Sequence, residues 1–170
     1  MKLTELFLAE LEREAASTRR ALERVPEGRN DWKPHEKSMP LGYLATLVAT
    51  MPGWISFMVE EDELVMSPTG ENKFRPEIQT TTKGLLAALD ESVAKSRNAL
   101  ENTTDEHLLT PWKLVVSGHV ASEGPRHIQI RDAVFGHLAH HRGQLTVYLR
   151  LNEAAVPAIY GPSADEGKFA

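Results

Sequence analysis

The stretch HLAHHRGQLTVYLR, His137 to Arg150, gathers three imidazoles, His137, His140 and His141, within five residues. On a helix, residues four apart stand side by side on successive turns, so the imidazole nitrogens of His137 and His141 can converge on one divalent ion. Apolar positions decide which face turns inward. At about 100° per residue, Ile130, Val134, Leu138, Leu145 and Tyr148 form a stripe that contains His141, is bordered by His137 and excludes His140. His137 and His141 are therefore the candidate metal ligands, with Gln144 and Tyr148 as polar neighbours on the same face. The plainer alternative is a pair of core histidines hydrogen-bonded to backbone or water. Helical zinc enzymes generally supply three protein ligands and keep one position for water or substrate, so the pair by itself is an incomplete site.

Other chemistries are narrowed by what is missing. The chain has no cysteine, which removes disulfides, thiolate ligands and a cysteine nucleophile. It has no glycine-rich phosphate loop, G-x-S-x-G elbow, H-E-x-x-H zinc motif or EF-hand loop. No catalytic residue is assigned from the sequence.

Four segments of helical periodicity must position the histidines. The first runs from about Leu3 to Arg24, with Leu3, Phe7, Leu11 and Leu22 on one side, and stops near Pro26 and Gly28. The second starts at the N-cap Ser38, with Pro40 in its first turn, and continues to about Glu60; Leu44, Leu47, Met51, Ile55 and Met58 share its stripe. A loop with Pro68, Gly70 and Pro76 follows. The third opens in the threonines 80 to 82 and runs to about Asn102, keeping Leu85, Leu89, Val93 and Leu100 together. Between Thr110 and Pro125 the brief alternation KLVVSGHV predicts a loop or a short β-hairpin. The fourth segment, Ile128 to Leu151, carries the histidines. The tail beyond it reads as an irregular strap that Tyr160 pins to the helices. Amphipathic helices of this length bury their stripes most simply as an all-α four-helix bundle.

At 170 residues the chain fits one domain, 1–170, and its 41% apolar and 25% charged residues suit a packed core. A net charge of -5 and an acidic run at Glu60 to Glu63 argue against a nucleic-acid partner. Charges at Glu5, Glu10 and Glu12 interrupt the amino terminus, and no run reaches the ~20 apolar residues of a membrane span. The expectation is a cytoplasmic protein with no membrane partner.

The remaining polar and aromatic side chains have structural readings. His119 and His127 read as exposed loop histidines. Arg142 and Arg150 fall away from the interior of the last helix, solvated or at a subunit contact. Trp32, Trp54 and Trp112 read as packing anchors near loops and helix ends. Ser92 and Ser96, inside the third helix, mark a close helix approach.

The motif S-M-P-L-G-Y-L-A-x-L-V-A-x-M-P-G-W, Ser38 to Trp54, with H-L-A-H-H-R-G-Q-L-T-V-Y-L-R and the tail V-P-A-I-Y-G-P-S-A-D-E, Val156 to Glu166, resembles the DinB/YfiT-like family. The resemblance implies a four-helix bundle in which a second-helix histidine and the H-x-x-x-H pair of the last helix hold a divalent metal, nickel or zinc. It also implies chemistry on a small-molecule substrate, thiol-dependent transfer or hydrolase-like, with a low-molecular-weight thiol as co-substrate, and a homodimer. Carried over by position, the pair matches His137 and His141, while the second-helix histidine falls at Leu47, which has no lone pair to donate. Glu14, on the apolar side of the first helix, is the candidate substitute. The alternatives are a weak site completed by water, or a non-catalytic bundle that binds a small ligand or a partner chain.

Overall fold

The first helix forms where apolar residues recur every three or four positions: α1, Leu3–Leu22, buries Phe7, Leu11 and Leu22. The computed structural model describes residues 2–66 and 76–167; Pro68 and Gly70 of the expected second loop lie outside them. The Glu5 carboxylate of α1 accepts from the Lys2 N–H at 3.2 Å but leaves the next amides free. The Asp105 carboxylate accepts from the backbone N–H groups of Leu3 at 2.9 Å and Thr4 at 3.1 Å, satisfying two of the free amides of the first turn.

The expected second helix is three pieces: α2, Leu41–Thr50, a 3₁₀ turn at Met51–Gly53, and α3, Trp54–Glu60. Its N-cap is Pro40 rather than Ser38. The interruption centres on Pro52. Ser96 donates its hydroxyl to the Pro52 carbonyl at 2.6 Å and accepts from the Ser56 N–H at 3.2 Å, so a side chain from another helix is spliced into the backbone ladder. A Cβ on Gly53 would lie 3.3 Å from Ser92 Cβ, so Ser92 and Ser96 do mark a close helix approach. By length and hydropathy the 20 residues Leu41–Glu60 suffice to cross a membrane, contrary to the reading of the sequence; 67% of their most apolar window is buried inside this fold.

The helix that supplies Ser96, α4, spans Thr82–Glu101 and is capped by Thr81, whose hydroxyl accepts from the Gly84 N–H at 3.1 Å. A single turn, α5, follows at Asp105–Leu108. The last helical run is continuous from α6, Arg126–Ile130, through π-helical turns at Arg131–Gly136 to α7, His137–Leu151.

The expectation of an all-α four-helix bundle is overturned by a three-stranded mixed sheet. Strands β1, Glu63–Met66, β2, Pro111–Val116, and β3, His119–Pro125, lie in that order, β1 parallel to β2 and β2 antiparallel to β3. The hairpin half was foreseeable: Ser117 and Gly118 take φ of 52° and 80°, the left-handed pair that a tight hairpin turn requires. The β1 strand was not. It is four residues long, half-buried, and pairs in parallel with Lys113 to Val116 far along the chain, a partnership no local pattern reveals. The sheet lies over the part of the core built from Phe7, Leu11, Ile55, Met58, Ile130 and Val134, against which Leu64 and Leu114 pack.

Candidate metal and ligand site

The last helix brings His137 and His141 together as their spacing predicts. Their Nε2 atoms are 2.8 Å apart, and the rings lie 4.5 Å apart between centroids. The Nδ1 of His141 lies 2.7 Å from Gln144 Oε1, an oxygen that only accepts, so that nitrogen carries the hydrogen. The backbone of Ala133, in the π-helical turns, favours the charged form of the His137 ring, against the larger effect of burial. With His141 protonated at Nδ1, its Nε2 presents a lone pair to His137, which in one tautomer donates Nε2–H to it across 2.8 Å and in the other leaves two lone pairs that a cation could share. Metal-ligating histidines are oriented as His141 is, each donating its other N–H to an oxygen.

A proton is poorly suited to that place. Burial pushes both imidazoles below 6.5, the ordinary histidine value, and the charges of neighbouring histidines push the same way, against smaller opposing effects of Ala133 on His137 and Gln144 on His141. His140 is exposed and stands edge-on to His141 at 5.0 Å, outside the pair.

Beside His137 opens a cavity of about 540 Å³, walled by Leu47 and Tyr43 of α2, Trp54, Phe57 and Met58 of α3, and Leu64, Met66, Trp112 and Leu114 of the sheet. The Trp54 and His137 rings are 5.9 Å apart. Polar groups are few: Ser122, which donates to Gln129 Oε1 at 2.8 Å, and Asp132, exposed in the π-helical turns. Trp112 is 4% exposed and its indole N–H has no partner among the described residues. The spacing along the sequence does not bring Asp132 to this wall, because the π turns break the period by which a helix face is read.

A three-histidine site does not fit this arrangement. Leu47 is buried in the wall that His137 shares, where the third ligand would stand, and offers only carbon. Among the described residues no group of three or more His, Cys, Asp or Glu side chains gathers for a metal. The pair itself fits two ligand positions. With zinc–nitrogen distances of about 2.0–2.1 Å, tetrahedral ligands sit about 3.3 Å apart, so the rings would part by about 0.5 Å.

Glu14 faces the core, as expected for a candidate ligand, but its carboxylate is engaged elsewhere. Oε2 accepts from Arg142 Nη2 at 2.6 Å and from the Tyr160 hydroxyl at 2.7 Å, and Oε1 accepts from Arg13 Nε at 3.3 Å. Burial works to raise its pKa, yet the bonds from Tyr160 and Arg142 outweigh it and hold the carboxyl below its usual range. Arg142, expected at the surface, is 1% exposed and also reaches the Glu14 carbonyl and Thr18 Oγ. A helical wheel sets it away from the stripe, but the long side chain reaches α1 at Glu14 and Thr18. Tyr160 does pin the tail. Arg150 pairs with Asp165 near the surface, His119 is exposed, and His127 Nδ1 contacts the Leu108 carbonyl at 3.1 Å. Arg126, unremarked in the sequence, is fully buried and donates to the carbonyls of Met58 and Glu61 and to Asp62.

Comparison with known proteins agrees with this architecture. The sequence matches the family model described as the DinB family over residues 1–168. A DinB-like protein from Bacillus cereus superposes with a TM-score of 0.69 at 24% identity, covering 92% of this chain and 97% of its own. The DinB-like protein YjoA from Bacillus subtilis gives 0.66 at 18% identity, covering 88% and 94%. No curated protein matches.

Proposed function

The chain belongs to the DinB family, and from that premise we propose that it is a metal-dependent enzyme of reduced ligand set, in which His137 and His141 hold a divalent ion, nickel or zinc. The observation that carries this reading is the 2.8 Å approach of two Nε2 atoms, with the His141 ring anchored through its opposite nitrogen to Gln144. The chemistry such an ion supplies is Lewis-acid polarisation of a small nucleophile, water or a low-molecular-weight thiol. Gln144 holds the His141 imidazole in the ligating tautomer, and Leu47 and Trp54 keep bulk water from the flank of His137. The position left by Leu47 falls to solvent or to the substrate itself.

Metal content after dialysis against trace nickel, zinc and manganese tests the reading. Near one ion per chain is expected in the parent and none in His141→Ala; stoichiometric metal in the variant would refute the assignment. Leu47→His should bind the ion more tightly than the parent.

A second reading, a non-catalytic bundle that binds a small ligand, is favoured by the apolar cavity and by Leu47 itself. It predicts no ion in the parent and metal affinity only after Leu47→His. On either reading we place the protein in the cytoplasm, the apolar segment 41–60 being given to the core. We also infer a homodimer, supported by Val147 and Leu151, one turn apart and 57% and 54% exposed on α7. Sedimentation should show a dimer that Val147→Asp dissociates, and a parent that runs as monomer would overturn it.

A further inference from the structure

The cavity beside His137 has two unlike walls. The helices face it with Leu47, Phe57 and Met58, and the sheet faces it with Trp112 and Leu114, two residues apart on β2. Their partners across the hairpin are Gly124 and Ser122. Residues two apart share a face of a sheet, so position 124 turns towards the cavity with them. It carries no side chain, and Gln129 takes the space: a Cβ on Gly124 would stand 3.0 Å from Gln129 Nε2. Ser122 holds that amide by donating its hydroxyl to Oε1 at 2.8 Å. The Gln129 Nε2 hydrogens and the Trp112 indole N–H therefore lie on neighbouring parts of one wall.

Neither donor has an acceptor among the described residues. Trp112 is 4% exposed and Gln129 9%, and a buried donor left unpaired costs about 1–3 kcal/mol. A buried water needs about two to four polar partners, and one that accepts from both donors turns its own hydrogens towards carbon. A carbonyl oxygen brings two lone pairs and no hydrogen. Among the described residues the lining holds no Lys or Arg, and the exposed Asp132 adds a negative charge, so an anion is repelled. A cation has nothing to offer two N–H donors.

We propose that the cavity binds an uncharged, largely apolar molecule through a single carbonyl oxygen, a ketone or an ester, which accepts from Trp112 Nε1 and Gln129 Nε2. The apolar body fills the space between the sheet and α3, whose volume of about 540 Å³ is in the range of small-molecule sites, about 300–1,000 Å³. This assignment rests on the reading of the cavity as a ligand site, and no ion takes part in it. Gly124 acquires a role as well: the missing side chain is what admits the amide to the wall.

The probes are 4-phenylbutan-2-one and butylbenzene, which share a body and differ in the oxygen, with 4-phenylbutyrate and benzyltrimethylammonium as charged contrasts. Binding to the isotopically labelled full chain, dialysed against a chelator, is followed by nuclear magnetic resonance, the Trp112 indole N–H being assigned by triple-resonance experiments. The ketone should move that signal downfield, as an accepted hydrogen bond does, and butylbenzene should not. Trp112→Phe and Gln129→Met should each lower the affinity for the ketone relative to butylbenzene about tenfold, about 1.4 kcal/mol. Gly124→Ala, which displaces the amide, should move the ratio in the same direction. A ratio unchanged in all three variants, an indole signal unmoved at saturation with ketone, or tighter binding of either charged probe overturns the carbonyl assignment and leaves the ligand site standing. Failure of every probe to bind overturns the ligand-site reading and the assignment with it.

Discussion

As proposed metal ligands, His137 and His141 depend on how their rings are held. Gln144 fixes the His141 ring through a 2.7 Å bond, so Gln144→Ala should lower metal affinity about 10–100-fold without removing a ligand, as loss of such orienting partners does elsewhere. The depressed imidazole pKa values set a pH dependence. Below 6.5 the unfolded chain takes up protons that the folded chain still refuses, so the stability of metal-free protein falls as the pH is lowered from there. Replacing both histidines with Gln should flatten that part of the curve in denaturant titrations. A parent profile that is already flat between pH 7 and 5 would contradict it. The pair was legible in the sequence because a helix converts spacing four into adjacency. The engagement of Glu14 was not, since the long Arg142 side chain reaches across to it on α1 and a wheel places only Cβ atoms. With both members buried, Arg142→Ala should cost about 3–5 kcal/mol, whereas Glu14→Leu combined with Arg142→Met should cost far less. Chemical denaturation of the three proteins decides this.

At the scale of elements, the site depends on two departures from regular helix. The π-helical turns at Arg131–Gly136 set Asp132, Ala133 and His137 around one cavity, and extra-wide turns of this kind recur at functional sites. The other departure is the break at Pro52, where Ser96 bridges the ladder. Ser96→Ala leaves a carbonyl and an N–H unpaired in the interior and should cost about 1–3 kcal/mol each way it is measured, by heat or by denaturant; a neutral effect would mean that the two groups re-pair directly. Read from the sequence, one helix runs straight through Pro52 and only half of the sheet appears. The turn at Ser117 and Gly118 announces a hairpin, but β1 owes its existence to β2 and to buried Arg126, which ties the end of α3 and Asp62 in place before the strand begins. Nothing within four residues could say so.

At the scale of the whole molecule, the tail acts as a latch between the two ends of the chain. Arg20 donates to the Ala158 carbonyl at 2.9 Å, Arg24 pairs with Glu166, Arg150 with Asp165, and Tyr160 reaches the Glu14 carboxylate. The exposed ion pairs contribute little each, so the hydroxyl is the one to remove. Tyr160 is 66% exposed, so Tyr160→Phe should cost about 0.5–1.5 kcal/mol, lowering the thermal midpoint by roughly 1–6 °C, and a midpoint shift under one degree would count against the latch. The Glu14 and Arg142 partners are 128 residues apart. At roughly 5–20 residues per second on the ribosome, Glu14 is made about 6–25 s before the guanidinium that neutralises it. During that interval Glu14 has only the neighbouring Arg13 as a cationic partner. The contact that seats its carboxylate in the interior therefore forms only after the last helix has been made.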